Sequence, residues 1–264
     1  MRTLALAVLL GLTGLPAIAC GPDTDCVLGE RSYRLYVPGG DGAKGAFLYA
    51  HGYRGSAAGA MRNGALKRLA DALDMAFVAL DSAGPDWAIA HTPQAPGREE
   101  VLEYDYANAV LDDLGNHFEV DPSRVVATGF SAGGMMTWTL ACGMSERFQG
   151  FIPLSGTFWT PVPESCPSPP SNLVHIHGTE DPTVPLEGRP IASTSQGDVF
   201  VALAMYRAHG GFAPVATDPA PGEMSCDRER SSDGLILEFC TFAGGHSFSI
   251  DRLRYGIEQV LAGE

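Results

Sequence analysis

The sequence predicts one α/β domain with a mostly parallel central sheet and helices packed on both of its faces. Strand-like and helix-like segments alternate through the middle of the chain, which is typical of parallel strands joined by crossover helices. At 264 residues and 45% hydrophobic content, the chain can bury one sizeable core. No internal repeat divides it, and the Pro-rich segment 161–170 indicates a stiff loop rather than a linker.

The individual elements follow from the spacing of apolar residues. Short apolar runs bounded by turn residues predict strands at 32–37, 45–51, 75–80, 124–129, 151–154, 172–177 and 235–242. Apolar residues three and four apart predict helices at 60–74, 100–118, 133–142, 198–208 and 250–261. The Pro/Gly-rich segment 83–97 predicts a functional loop, and Asp121-Pro122-Ser123 predicts a turn.

The first nineteen residues have the pattern of a secretory signal peptide. Arg2 gives a positive start, residues 4–15 form an apolar run, and Ala17-Ile18-Ala19 offers a small-residue cleavage site. A membrane anchor needs roughly 20 apolar residues, and this run is shorter and broken by glycine and proline. We therefore expect a single mature domain at 20–264 that is secreted or periplasmic and not held in a membrane.

The cysteines fit an oxidising compartment. They form an even set, consistent with three disulfides: Cys20, Cys26, Cys142, Cys166, Cys226 and Cys240. Proximity along the chain suggests the pairs 20–26, 142–166 and 226–240. Acylation of Cys20 after cleavage is an alternative, but it would leave one cysteine unpaired. Zinc binding is disfavoured because no pair has C-x-x-C spacing and no cysteine is flanked by histidine.

The charge balance limits the partners of the chain. It has 17 Lys+Arg against 31 Asp+Glu, a formal net charge of −14. Such a surface repels nucleic acid and anionic membranes, so we expect a neutral or weakly charged small or oligomeric substrate. No cofactor and no metal are expected, and the sequence leaves the oligomeric state open.

The candidate nucleophile is Ser131. It lies in Gly129-Phe130-Ser131-Ala132-Gly133, which fits the nucleophile elbow, a strained turn between a strand and a helix. The bare G-x-S-x-G motif occurs by chance, and an ordinary serine in a glycine-rich turn is the alternative. Here the preceding residues are strand-like and the following residues helix-like, as the elbow requires.

A serine hydroxyl needs a base to take its proton, and the base needs a third group to hold its tautomer. His246 follows the last predicted strand, and Asp181 follows the strand at 172–177. The chain order Ser131, Asp181, His246 is the order of α/β-hydrolases. Glu180 competes for the carboxylate role, and we prefer Asp181.

Acyl transfer also needs N–H donors for the oxyanion that develops on the attacked carbonyl. The Ala132 N–H, next to the nucleophile, is one expected donor. The Tyr53 N–H in the loop His51-Gly52-Tyr53-Arg54-Gly55 is the second, with a simple glycine-rich turn as the alternative. The other histidines have simpler interpretations. His175 and His177 indicate packing or loop bracing rather than a metal site, and His91, His117 and His209 need no function.

Taken together, the motifs resemble the polyhydroxybutyrate depolymerase and feruloyl esterase group of α/β-hydrolases. The resembling blocks are residues 48–53, 120–125, 129–136, 177–185 and 244–246. The resemblance implies an α/β-hydrolase without a large cap domain. It also implies a secreted esterase acting on hydroxyalkanoate, feruloyl or similar esters, with Ser131, Asp181 and His246 as its triad.

The chain departs from this group in the loop that follows the fourth core strand. Family members often carry a tryptophan-asparagine pair there, whereas this chain has Asp86-Trp87-Ala88. We expect Trp87 and Trp159 to contact substrate as an apolar wall of the acyl pocket, with simple packing in the core as the alternative. No polymer-binding module is visible, which favours soluble oligomers or small esters. Two alternatives stay open: a serine peptidase of the same fold and a catalytically silent binding protein.

Overall fold

The computed structural model describes residues 20–39, 43–93, 101–118, 120–216, 220 and 222–262. The predicted signal peptide at 1–19 and residues 94–97 of the predicted loop lie outside this part of the chain. Within the described ranges, no helix combines the length and the apolar character that a bilayer span requires.

Ten strands of the described chain form one sheet. They are β1 (Cys26–Leu28), β2 (Arg31–Tyr36), β3 (Ala46–Ala50), β4 (Ala76–Leu80), β5 (Val125–Phe130), β6 (Gly150–Leu154), β7 (Asn172–Gly178), β10 (Ala213–Pro214), β11 (Met224–Arg230) and β12 (Ile236–Phe242). A separate small hairpin contains β8 (Pro190–Ile191) and β9 (Thr194–Ser195). The spatial order in the large sheet is β1-β2-β4-β3-β5-β6-β7-β12-β11-β10. The six strands from β4 to β12 in this order are parallel, and both edges are antiparallel.

The central strands are buried on both faces because helices cover both sides of the sheet. Successive side chains on a strand point to opposite faces, so Phe47 packs on one side of β3 and Leu48 on the other. One face is covered by α3 (Val101–His117), α4 (Ala132–Gly143) and α5 (Val199–Gly210). The other is covered by α1 (Ala57–Met61), α2 (Gly64–Leu73) and α6 (Ile250–Leu261). The predicted fold class is confirmed.

The single helix predicted at 60–74 is wrong in one respect, because the structure divides this region into α1 and α2. Asn63 lies between the two helices with extended backbone, and its side chain accepts a hydrogen bond from the Ala65 N–H at 3.0 Å. An asparagine at a helix N-terminus caps the first free N–H groups and so favours a new start. The predicted turn at 121–123 is confirmed: the Asp121 side chain caps a short 3-10 helix at Pro122–Arg124.

The antiparallel edge strand β11 is absent from the predicted strands. Its sequence carries Asp227, Arg228, Glu229 and Arg230 in succession, so it has no apolar run to indicate a strand. It forms because β12 supplies a pairing edge, with Cys226 opposite Cys240. The three disulfides pair as expected: Cys20 with Cys26, Cys142 with Cys166, and Cys226 with Cys240.

Candidate active site

The nucleophile elbow lies at the carboxyl end of the central strand β5. Ser131 joins β5 to α4, and its backbone has φ 61° and ψ −121°, a conformation that residues other than glycine rarely adopt. The Ser131 N–H donates to the Leu154 carbonyl at 2.9 Å, which ties the turn to β6. Strained turns of this kind persist where the surrounding structure holds them, and they cluster at functional sites.

Two glycines allow this turn to form. A Cβ on Gly129 would meet the backbone of Gly133, and a Cβ on Gly133 would meet the carbonyl group of Ala50 on β3. Both obstacles are backbone atoms of packed elements, which cannot move aside as a flexible side chain can. The G-x-S-x-G pattern is therefore required by the close approach of α4 to β3 and β5.

Asp181 lies in the loop that follows β7, and its side chain is fully buried. Its Oδ1 accepts hydrogen bonds from the backbone N–H groups of Thr183 at 2.8 Å and Val184 at 2.9 Å. Its Oδ2 accepts a hydrogen bond from Nδ1 of His246 at 2.6 Å. The carboxylate is thus held by the backbone of its own loop and directed at the candidate base.

The surroundings of Asp181 keep its carboxylate ionised. Burial by itself would raise the pKa of Asp181, but hydrogen bonds with His177, the Val184 backbone, His246 and the Thr183 backbone hold the pKa well below its ordinary value. A carboxylate that stays charged can stabilise a positive charge on the imidazole it contacts.

His246 lies in the loop between β12 and α6. Its Nδ1 faces Asp181, which leaves Nε2 available for the nucleophile. Its ring packs on the ring of Phe130, the residue before Ser131, with ring centroids 4.5 Å apart. Among the described residues, the Ser131 hydroxyl and His246 share no hydrogen bond. Bonds of this kind are often long in a free enzyme and tighten when substrate binds.

Glu180, the competing carboxylate, is exposed. Its backbone N–H donates to the Gly244 carbonyl at 2.9 Å, which links the loop of Asp181 to the loop of His246. Within the described chain, the Glu180 side chain makes no hydrogen bond to His246. The geometry therefore brings Asp181, and not Glu180, to the imidazole.

Two backbone N–H groups beside Ser131 are available as oxyanion donors. Tyr53 and Ala132 line the same cavity as Ser131. Neither N–H donates a hydrogen bond within the part of the chain that the structure describes. Ala132 is the first residue of α4, where the N–H groups of a helix point outward and favour negative charge.

Trp87 needs a correction, because the structure does not place it at the substrate cavity. Its side chain is 0% exposed and lies under the loop that contains Tyr53. Its Nε1–H donates to the His51 carbonyl at 2.8 Å, and its ring packs on the His51 imidazole. The Ser82 N–H donates to His51 Nε2 at 3.2 Å. Trp87 therefore packs against His51 and supports the loop of Tyr53, the candidate oxyanion donor.

Trp159, in contrast, lies at the wall of the cavity that Ser131 lines. This cavity has a volume of about 220 Å³, and its walls are Tyr53, Asp86, Pro93, Ser131, Ala132, Met135, Trp159, Thr183, Arg189, Ile191 and Gln196. A second cavity of about 210 Å³ shares Trp159 and includes His91. The tryptophan side chain thus lies between the Ser131 cavity and its neighbour.

Three polar residues of the cavity were not indicated by any sequence motif. Gln196 is buried, and its Oε1 has no hydrogen-bond partner among the described residues. The Arg189 Nε–H donates to the Thr183 carbonyl at 2.8 Å. Burial raises the pKa of Asp86, against hydrogen bonds from the Trp87 N–H and the Thr92 hydroxyl. Arg189 and Gln196 flank the β8–β9 hairpin, whose short strands leave no periodic signal.

Two further histidines, His117 and His209, have ordinary local partners. His117 Nδ1 contacts Asp113 at 2.8 Å, and His209 Nε2 contacts the Ser168 carbonyl at 2.9 Å. Among the described residues, one group of potential metal ligands lies together, at Cys226, Glu238 and Cys240. Its two sulfurs form a disulfide, and its carboxylate pairs with Arg228 at 2.9 Å.

Comparison with known proteins gives consistent results. A family described as Phospholipase/Carboxylesterase matches residues 98–196. The putative esterase NocK of Nocardia uniformis subsp. tsuyamanensis is 33% identical over 249 residues, covering 83% of this chain and 70% of that protein. Feruloyl esterase C of Emericella nidulans is 32% identical over 143 residues, covering 53% of this chain. The alignment spans about half of that feruloyl esterase, 48% of its length.

Solved structures agree on the fold. The acetyl xylan esterase of Aspergillus awamori aligns with a TM-score of 0.61 at 16% identity, over 92% of this chain and 98% of that one. The Bacillus cereus carboxylesterase aligns with a TM-score of 0.61 at 13% identity, over 89% and 96% of the two chains. The chain is therefore a carboxylic ester hydrolase with the α/β-hydrolase fold, and it belongs to the same esterase family as NocK.

Proposed function

We propose that the chain is a secreted serine esterase with Ser131 as nucleophile, His246 as general base and Asp181 as the carboxylate that orients the base. One observation carries the proposal: the 2.6 Å hydrogen bond between Asp181 and His246, next to the strained turn of Ser131. The three residues follow three different parallel strands, whose carboxyl ends share one edge of the sheet.

The first half of the reaction forms an acyl-enzyme. His246 Nε2 takes the proton of the Ser131 hydroxyl while the serine oxygen bonds to the ester carbonyl carbon. The carbonyl oxygen becomes an oxyanion that accepts hydrogen bonds from the Tyr53 and Ala132 N–H groups. Asp181 stabilises the imidazolium. His246 then gives the proton to the leaving alcohol oxygen as its bond to carbon breaks.

The second half uses the same groups on water. His246 takes a proton from water, the water oxygen bonds to the acyl carbon, and Ser131 leaves with the proton returned by His246. Both halves need neutral His246, so activity falls on acidification. Asp181 stays ionised there because its pKa is held well below the ordinary value, so the loss reports on His246 rather than on the acid.

The walls of the cavity support an acyl group that is apolar but carries a hydroxyl. Met135, Trp159 and Ile191 give apolar contacts, whereas Gln196 contributes an amide whose Oε1 is buried and has no hydrogen-bond partner among the described residues. A buried acceptor left unpaired is costly, so we propose that this amide turns to the cavity and accepts a hydrogen bond from a hydroxyl of the bound acyl group. A feruloyl group carries such a hydroxyl on its ring, and a hydroxyalkanoate oligomer carries one on its terminal unit. We propose these soluble esters as the substrate class.

Export is supported by the leader-like pattern at 1–19 and by three disulfides, which persist in oxidising compartments. N-terminal sequencing of the protein secreted by an expressing cell tests this point. We expect Cys20 at the mature terminus, and a terminus at Met1 would contradict it.

A panel of nitrophenyl esters of increasing chain length, with feruloyl esters and hydroxybutyrate oligomers alongside, tests the activity. Ser131→Ala should abolish turnover on every ester. Ser247→Ala is the matched control, because this exposed serine neighbours His246, and we expect the wild-type rate. Turnover by the Ser131→Ala variant would contradict the proposal. Cleavage of peptides in preference to esters would favour a peptidase, and no turnover by the wild-type protein would favour a silent binding protein.

A further inference from the structure

A chain of buried hydrogen bonds lies behind Asp181, and the reaction above does not use it. His175 and His177 are two residues apart on β7, so both point to the face of the sheet that α4 covers. Both side chains are 0% exposed. Two adjacent imidazoles in an apolar core are costly to bury unless their nitrogens are hydrogen-bonded. All four ring nitrogens have partners.

The hydrogen bonds form one continuous path from α4 to the acid loop. Trp138 Nε1 lies 3.1 Å from His175 Nδ1, and His175 Nε2 lies 2.9 Å from His177 Nδ1. His177 Nε2 lies 2.7 Å from the Val184 carbonyl and 3.5 Å from Asp181 Oδ2. The path therefore ends at the carboxylate that contacts His246.

The indole N–H of Trp138 fixes the direction of every hydrogen bond in this path. An indole N–H can only donate, so His175 Nδ1 accepts and His175 carries its proton on Nε2. His177 Nδ1 then accepts from His175, and His177 carries its proton on Nε2. His177 Nε2–H in turn donates to the Val184 carbonyl, with Asp181 as its secondary acceptor. Every donor points toward the acid loop, and bonds aligned in this way strengthen one another.

Both backbone polar groups of Val184 are hydrogen-bonded at the end of this path. The Val184 N–H donates to Asp181 Oδ1 at 2.9 Å, while the Val184 carbonyl accepts from His177. Without the hydrogen bond from His177, the Val184 N–H that holds the Asp181 carboxylate would no longer be tied to β7. Burial lowers the pKa of His175 well below its ordinary value, and the neighbouring His177 lowers it further. His175 therefore stays neutral, which agrees with its Nδ1 accepting the indole N–H of Trp138.

We propose that Trp138, His175 and His177 form a positioning relay that sets the Asp181 carboxylate relative to the helix of the nucleophile. The inference rests on the proposed function, because it assigns Asp181 the orienting role. α4 begins immediately after Ser131, and Trp138 lies on the same helix, packed against β7. The relay thus fixes the distance between nucleophile and acid through the sheet rather than through the loops.

Two isosteric substitutions of His177 separate positioning from packing. The amide nitrogen of a glutamine lies near the position of His Nε2, whereas the amide of an asparagine lies near Nδ1. His177→Gln should keep the donor to the Val184 carbonyl and retain most of kcat. His177→Asn should lose that donor and lower kcat by about 10- to 100-fold with KM unchanged. In His177→Asn the acidic limb of the pH–rate profile should also move to lower pH, because a displaced Asp181 carboxylate stabilises the His246 imidazolium less.

Tyr206→Phe is the control for lost stability alone. The Tyr206 hydroxyl is buried in the same core and bonds the Ser171 backbone at 3.0 Å, away from the acid loop. We expect lower thermal stability with unchanged kcat and pH profile. Equal kcat in the Asn and Gln variants of His177, or a wild-type pH limb in His177→Asn, would overturn the relay.

If neither His177 variant folds, Trp138→Phe decides, since it removes the first donor and keeps an aromatic ring, although the smaller ring also leaves a cavity in the core. A reduced kcat at unchanged KM supports the relay, and a wild-type kcat overturns it. The measurements also separate the two proposals. Turnover by Ser131→Ala would contradict the proposed function itself. An inactive Ser131→Ala variant together with a fully active His177→Asn variant would contradict the relay alone.

Discussion

The two sides of the active site hold their residues by different physical means. On the elbow side, Ser131 is held by steric fit: a strained backbone turn and two glycines that admit the backbone of β3. On the acid side, Asp181 is held by hydrogen bonds from its own loop and, through His177, from the strand below it. The difference shows why one side has a local sequence signature and the other does not.

Steric fit needs particular residue types at fixed spacing, so it appears in the sequence as a motif. A hydrogen-bond network needs only compatible donors and acceptors that the fold brings together, so its members lie far apart in the chain. The contrast also predicts different failures. Damage to the glycines that hold the elbow should cost folding stability, whereas damage to the acid side should cost turnover in a protein that stays folded.

The largest expected effect tests the acid side. Asp181→Asn keeps the size of the side chain but removes its charge and one acceptor, so the tautomer of His246 is no longer fixed. We expect kcat to fall by up to about 10⁴ with the fold intact, measured by ester turnover and circular dichroism. Glu180→Gln is the matched control and should stay near the wild-type rate. The reverse ranking would transfer the acid role to Glu180.

The next effect tests the elbow side. In Gly133→Ala the new Cβ meets the backbone carbonyl of Ala50, and we expect a loss of roughly 3 kcal/mol in the free energy of unfolding. In Gly115→Ala on α3, the new Cβ meets nothing, and we expect a gain of about 0.5–1 kcal/mol. Urea denaturation measures both. Equal stability of the two variants would mean that steric fit does not hold the elbow.

A smaller effect concerns pH and the buried network behind the acid. The pKa of His175 is lowered by burial, so the unfolded chain binds a proton below about pH 6.5 that the folded protein excludes. This contribution to stability is complete above about pH 6.5 and is lost as pH falls, by at most about 1.4 kcal/mol per pH unit. In His175→Gln we expect a shallower decline between pH 6.5 and 5, measured by urea denaturation. Parallel declines in both proteins would contradict the neutral assignment.

The smallest effect tests the substrate wall on the acid side. Gln196→Leu removes the unpartnered oxygen, so a substrate hydroxyl loses its acceptor. We expect KM for a feruloyl ester to rise by about 5- to 10-fold, the value of one hydrogen bond. KM for the matching cinnamoyl ester, which has no ring hydroxyl, should not rise. A similar change for both esters would show that Gln196 acts on packing rather than on recognition.

The sequence predicts the parallel core of the fold well, because strands buried on both faces are apolar throughout and helices are amphipathic. It misses β11 because a charged antiparallel strand depends on its partner β12 rather than on its own composition. It merges α1 and α2 because apolar periodicity continues across their boundary, and only the cap at Asn63 marks the break.

The same logic applies to the site. Ser131, Asp181 and His246 follow strand ends, so chain order and sheet topology bring them to one edge. Trp87 was misassigned because an aromatic residue in a loop gives no sign of which way its ring points. Gln196 belongs to a short hairpin, and its place in the cavity depends on a bridge to Trp159 that no local pattern encodes.

The most direct test of the two-sided account is the rate at which a fluorophosphonate probe modifies Ser131. The wild-type protein should be labelled at Ser131, as identified by mass spectrometry. Asp181→Asn should be labelled more slowly by about three to four orders of magnitude, since the acid side activates the nucleophile only through His246. Equal labelling rates in the two proteins would show that the acid side does not act on the nucleophile, which would contradict the account.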